Sequence, residues 1–130
     1  MKIEEYCSRL SWYLVTIPAG SKGPTKFGWQ KPEQALSDPD AAREYYELNP
    51  THNVGLLHGA SGTCAVDIDN VENTKLIFEE LGINFSDLMN SAPQIIGREN
   101  RGKLLFKAPS DLITHKISWP VKDDPRKTEG

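Results

Sequence analysis

The segment Thr63-Cys64-Ala65-Val66-Asp67-Ile68 constrains the fold more than any other stretch of the chain. Its alternation predicts a strand with Cys64, Val66 and Ile68 turned to a core, and with Asp67 and then Asp69 together on the opposite side. A strand with one buried face needs partner strands and a covering layer. The neighbouring sequence offers both. Residues 53–58 (NVGLLH) read as a second strand, and Gly59-Ala60-Ser61-Gly62 between the two predicts a hairpin turn. Residues 94–97 and 103–108 predict another hairpin around Arg98-Glu99-Asn100-Arg101-Gly102, and residues 113–119 a last strand.

Helical signals fall between these runs. Ile3, Tyr6, Cys7, Leu10, Tyr13 and Leu14 recur at helical spacing. A short β-branched run, Leu14-Val15-Thr16-Ile17, follows and stops at Pro18. A helix over 37–48 is expected, with the Ser37 hydroxyl capping the Asp40 amide and Asn49-Pro50 ending it. Residues 71–81 predict a helix stopped by Gly82, and 84–90 one more helical turn. Helices and strands do not alternate regularly, which disfavours a Rossmann-like parallel sheet. The expected class is α+β, with helices packed on a mostly antiparallel sheet. A length of 130 residues fits one domain, with 120–130 a loose polar tail.

The formal net charge is only -3, yet the charge is segregated. Residues 1–31 hold five Lys/Arg against two Asp/Glu, residues 32–93 two against eleven, and residues 94–130 eight against five. A weakly acidic total therefore does not exclude a polyanionic partner. No apolar run approaches the ~18 residues that span a bilayer, and no signal-peptide core follows Met1, so the expected location is the cytoplasm, without membrane association. Cys7 and Cys64 make no disulfide framework, and His52, His58 and His115 show no metal-ligand spacing.

Three features can carry chemistry. Asp67 and Asp69 bring two carboxylates to one strand end, a donor set suited to Mg²⁺ or Mn²⁺. The competing role is a solvated strand end. Arg98, Arg101, Lys103 and Lys107 surround the second hairpin, and Lys103 and Lys107 share a face opposite Leu104 and Phe106. If that hairpin lies beside the Asp67 strand, Lys103 meets a triphosphate held by the metals, and the arginines grip its oxygens. The competing role is a basic edge that discourages strand pairing. Residues 19–32 (AGSKGPTKFGWQKP) form a loop in which Lys22, Lys26 and Lys31 interleave with Phe27 and Trp29, a composition suited to single-stranded nucleic acid. Here the competing role is a surface loop with Trp29 tucked onto the core.

Taken in order, these pieces resemble the bifunctional primase-polymerase domain of phage and plasmid replication proteins, within the archaeo-eukaryotic primase superfamily. The likeness runs from the N-terminal helix through Lys22-Gly23-Pro24, Asn53-Val54-Gly55, Gly59-Ala60-Ser61-Gly62 and Val66-Asp67-Ile68-Asp69 to Arg101-Gly102-Lys103-Leu104-Leu105-Phe106. The resemblance implies an RRM-like catalytic sheet joined to a small N-terminal α/β unit. It implies metal-dependent, template-directed nucleotidyl transfer from dNTP or NTP in bacterial cytoplasm, on single-stranded or primed DNA. It further implies a C-terminal helicase domain in the full-length protein. Asp67 and Asp69 take the metal-binding, catalytic positions. Lys103 stands where the family commonly has a triphosphate-contacting histidine, with Arg101 and Arg98 beside it. Ser61 and Gly62 fall in the stretch that lets a nucleotide approach, and Lys22, Lys26 and Trp29 in the nucleic-acid loop. The family's third carboxylate, on a later strand, has no counterpart assigned in this sequence, so a domain cut short at its C-terminus is expected.

Two other classes stay open at the level of sequence. One is a non-catalytic nucleotide or single-strand binding module of a replication protein. The other is a D-x-D phosphatase or glycosyltransferase, since Asp67-Ile68-Asp69-Asn70-Val71 also resembles the first motif of haloacid-dehalogenase phosphatases.

Overall fold

A computed structural model describes residues 1–95, 101–109 and 111–113, together with the backbone of 119–121 and 124–129. Arg98, His115, the hairpin tip at 96–100 and most of the strand expected over 113–119 lie outside the described residues. The chain divides into two units, Met1–Gly62 and Thr63–Gly130.

In the first unit, the helical spacing of Ile3, Tyr6, Cys7 and Leu10 produces α1 (Ile3–Leu10), which buries Cys7. The expected helical face continued to Leu14, but Ser11 takes a left-handed conformation (φ 55°) and ends the helix. Leu14 instead opens β1 (Leu14–Ile17), which pairs antiparallel with β2 (Asn53–Leu56). A 3₁₀ turn (Pro32–Gln34) brings Leu36 back to Leu14, where the two residues exchange backbone hydrogen bonds of 2.9 and 2.8 Å. Helix α2 spans Pro39–Leu48. Its cap is Asp38 and not Ser37: the Asp38 carboxylate accepts the Ala41 amide at 2.9 Å. Pro39 decides this, because proline suits the first helical position and so makes the preceding residue the cap. Cys7, Leu14 and Ala42 form the buried centre, with Ile3, Tyr6, Trp12 and Leu36 packed around it and Tyr6 stacked on Trp12 at 5.5 Å.

The expected turn at residues 59–62 is not a hairpin. β2 pairs with β1, and residues 58–61 wind into a short helix, α3 (His58–Ser61). Gly62 ends that helix at φ 66°, a conformation that favours glycine. The Ser61 hydroxyl oxygen accepts the Tyr13 amide at 2.9 Å, fastening the turn to the start of β1.

The second unit begins with β3 (Thr63–Ile68), followed by α4 (Val71–Glu80), α5 (Phe85–Asn90), β4 (Gln94–Ile95) and β5 (Gly102–Lys107). The sheet order is β3-β5-β4, antiparallel throughout. β5 is the better partner for β3, since both strands are six residues long and pair at every position from Thr63↔Lys107 to Ile68↔Gly102. Asn70 and Asn84 cap the two helices by accepting the Asn73 and Asp87 amides, each at 3.0 Å. Gly82, at φ 77°, follows α4 as expected. Ile68, Phe85 and Leu104 are buried at the centre, with Val66, Val71, Phe78, Leu88, Met89 and Phe106 around them. Full burial of a side chain such as Leu104 contributes about 1.5–3 kcal/mol.

Two further strands, β6 (Trp119–Val121) and β7 (Asp124–Glu129), pair antiparallel where the sequence suggests a loose tail. Both are edges of a two-stranded sheet, the setting in which Pro120 is tolerated. The class is α+β, as the sequence predicts. Among the described residues no helix is long and apolar enough to cross a membrane.

Candidate functional site

Alternation along β3 turns Val66 and Ile68 toward α4 and α5 and leaves Asp67 on the other side of the sheet. Asp69, one residue past the strand, is also exposed, with buried Ile68 between the two carboxylates. The Asn70 cap then turns the chain into α4, so the acidic pair sits at the strand's end as the sequence predicts.

β5 supplies the counter-charge. Lys103 lies directly opposite Asp67, and its Nζ is 3.8 Å from Asp67 Oδ2, with side chains 52% and 64% exposed. An exposed pair of this kind contributes at most ~1 kcal/mol, so Lys103 can leave Asp67 at small cost. On the other side of Lys103 lies Ile95 of β4. Asp67, Lys103 and Ile95 therefore form one row across the sheet. Ile95, 55% exposed, was not singled out from the sequence, because an isolated Gln94-Ile95 pair carries no register information. Lys107 is exposed at the far end of β5, opposite Thr63, and Arg101 is exposed just before the strand.

The other candidates belong to the first unit. The Ser61 hydroxyl is engaged with the Tyr13 amide, and Gly62 supplies the left-handed cap described above. Lys22 and Lys26 are exposed, whereas Trp29 is half-buried. His52 Nδ1 is 2.9 Å from the Tyr45 hydroxyl, a structural contact, as expected for a histidine without metal-ligand spacing. Cys64, expected in the core, is only half-buried.

The donor set fits a hard divalent cation. Asp67 at the end of β3 and Asp69 in the bend after it are both exposed, leaving room for water and phosphate oxygens. Among the described residues no cluster of three or more His, Cys, Asp or Glu forms an all-protein cage. Mg²⁺ commonly binds through one or two carboxylates plus substrate phosphates and water, so two carboxylates suffice.

A comparison with protein-family models adds an independent observation. The chain belongs to the family described as bifunctional DNA primase/polymerase, N-terminal (Prim-Pol), whose model matches residues 3–122. That span contains Asp67, Asp69, Lys103 and the lysine loop. The family is one of nucleotidyltransferase-type primase/polymerase domains of DNA replication. Searches of curated proteins and of solved structures returned no match. The antiparallel setting of β3 also differs from the parallel Rossmann-like sheet in which haloacid-dehalogenase phosphatases carry their D-x-D motif.

Proposed function

We propose that this chain performs template-directed nucleotidyl transfer, making or extending primers, with its reaction centre at Asp67, Asp69 and Lys103. The observation that carries this reading is the row on the exposed side of the sheet. Asp67 near the end of β3 faces Lys103 of β5 in register, and exposed Asp69 follows just past the strand. Asp67 and Asp69 would hold Mg²⁺ or Mn²⁺. When bound there, such a cation supplies charge neutralisation at the reacting phosphate and lowers the pKa of the attacking 3′-hydroxyl. Lys103 acts as a point charge on the triphosphate, moving from Asp67 to phosphate oxygens when the nucleotide arrives. Arg101, with Arg98, grips further phosphate oxygens bidentately. Gly62 and Ser61 contribute a backbone that nucleotide or template can approach closely. Lys22, Lys26 and Trp29 belong to the loop that contacts the DNA strand.

The same reading carries wider expectations that rest on the order of motifs. The substrates are dNTP or NTP on single-stranded or primed DNA. The setting is the bacterial cytoplasm, in replication of a phage, prophage or plasmid, and the neighbour in the full-length protein is a helicase domain.

The test is incorporation of labelled dNTP or NTP on a primed template, with Mg²⁺, with Mn²⁺ and with chelator. Cation-dependent extension supports the reading. A second reading, a binding module without turnover, is favoured by the two-carboxylate site, since the described residues show no third acidic partner. It predicts salt-sensitive binding of single strands with no incorporation under any cation.

A further inference from the structure

We propose that Phe27 is a base-stacking residue, and that residues 19–31 form a single-stranded DNA contact in which Lys22, Lys26 and Lys31 engage the phosphates flanking the stacked base. This deepens the proposed function by naming the stacking group, and rests on it only for the identity of the strand as DNA.

Phe27 is 96% exposed, the barest large apolar side chain among the described residues. A single exposed apolar side chain is ordinary, but a ring this bare, set among lysines, can stack on a partner without any part of the protein moving aside. Tight turns on both flanks present it. The Ser21 amide donates to the Pro18 carbonyl, the Trp29 amide to the Lys26 carbonyl at 3.3 Å, and the Lys31 amide to the Gly28 carbonyl at 2.9 Å. Gly28 adopts φ 74°, and the Lys31 side chain runs 3.7 Å from where a Cβ would stand there. Trp29 is half-buried, while Phe27 is almost wholly exposed. The sequence reading places Trp29 in this role; the exposure of the two rings favours Phe27 instead.

The surroundings select the partner. Residues 19–32 contain three lysines and no Asp or Glu, in a chain whose net charge is -3. Lys22, Lys26 and Lys31 are all exposed. A protein partner with an apolar pocket would have to desolvate these ammonium groups. A single strand satisfies them with phosphates and offers the ring a base face, the pairing on which sequence-tolerant single-strand binding rests. A lipid surface needs a band of exposed apolar side chains, whereas Phe27 is flanked by Lys26 and Gly28, with Thr25 and the half-buried Trp29 beyond.

The test uses the full chain and a fluorescein-labelled oligothymidylate, read by anisotropy at several salt concentrations. Phe27→Ala is expected to weaken binding about tenfold, the size of one lost base–aromatic stack, with the salt dependence unchanged. Phe27→Trp is expected to retain affinity and to have its emission quenched by the oligonucleotide. Lys26→Gln is expected to reduce the slope of log K against log salt by about 0.7. Wild-type affinity in Phe27→Ala overturns the inference. So does binding to phosphatidylserine vesicles in place of the oligonucleotide. Because no step of catalysis enters the assay, a protein inert in primer extension that still shows the Phe27 effect removes the catalytic reading and keeps this one.

Discussion

Asp67 and Lys103 face one another across the β3–β5 ladder, with carboxylate oxygen and ammonium nitrogen 3.8 Å apart on the exposed side of the sheet. Asp67 sits between Val66 and Ile68, and Lys103 precedes Leu104; these three apolar residues pack in the core with residues of α4 and α5, which sets the direction of both charged side chains. Lys103→Met removes the charge and keeps the stem. We expect nucleotide affinity to fall about 10–100-fold, the size of a lost charge-assisted contact. Stability should change by less than about 1 kcal/mol, because the pair is exposed. A nucleotide titration and a thermal melt of the same sample check both halves. A large loss of stability with normal nucleotide binding would make Lys103 a structural residue.

The cap of α2 distinguishes two neighbouring residues. Asp38→Ala is expected to destabilise the protein by about 1 kcal/mol, since Asp38 accepts the Ala41 amide, whereas Ser37→Ala should be near neutral. Urea unfolding of the two variants decides between them. Equal effects would contradict the assignment.

That one-residue shift shows which parts of the fold were legible. Alternation in 63–68 and helical spacing in 71–81 each depend on one buried face, and both appear as β3 and α4. The orientation of Asp67, the position of Asp69 and the identity of the β5 face followed from the same alternation. The antiparallel pairing of β4 with β5 followed as well, but the partners of β2 and β3 did not. Nothing local tells Gly59-Ala60-Ser61-Gly62 that its hydroxyl will meet the Tyr13 amide or that β3 will find its partner some forty residues on. The row that sets Lys103 between Asp67 and Ile95 depends on that pairing, so it needed the tertiary structure.

Gly62→Ala tests the short helix that replaces the expected hairpin. No atom lies within 4 Å of the added Cβ, so the cost is that of holding φ 66° alone, about 1–2 kcal/mol. Equilibrium unfolding measures it. A stabilised variant would contradict the left-handed cap. If Gly62 also admits the nucleotide, its Ala variant should lose more incorporation than its stability change explains.

Tyr46 gives a pH signature. Burial, with a smaller effect of neighbouring Tyr45, pushes its phenol up to about 12 from an ordinary value of 10.0. Its hydroxyl donates to the Asn53 carbonyl at 3.1 Å, tying α2 to the start of β2. The folded state holds this proton longer than the unfolded state. The contribution is therefore complete below the unfolded value and is lost as pH rises through the folded one. Tyr46→Phe should flatten that loss of stability in alkaline solution, read by chemical denaturation across the range. An unchanged alkaline slope would show that Tyr46 is not held protonated.

The central claim, that the β3 carboxylates and the β5 lysine form a nucleotidyl-transfer centre, meets its most direct test in one substitution. Asp67→Asn keeps the shape of an exposed side chain and removes its charge, so the fold should be retained. Incorporation of labelled nucleotide on a primed template, measured for wild type and Asp67→Asn with Mg²⁺ and with Mn²⁺, is expected to fall by a factor of at least about 100 in the variant. Wild-type incorporation by a folded Asp67→Asn protein would contradict the account.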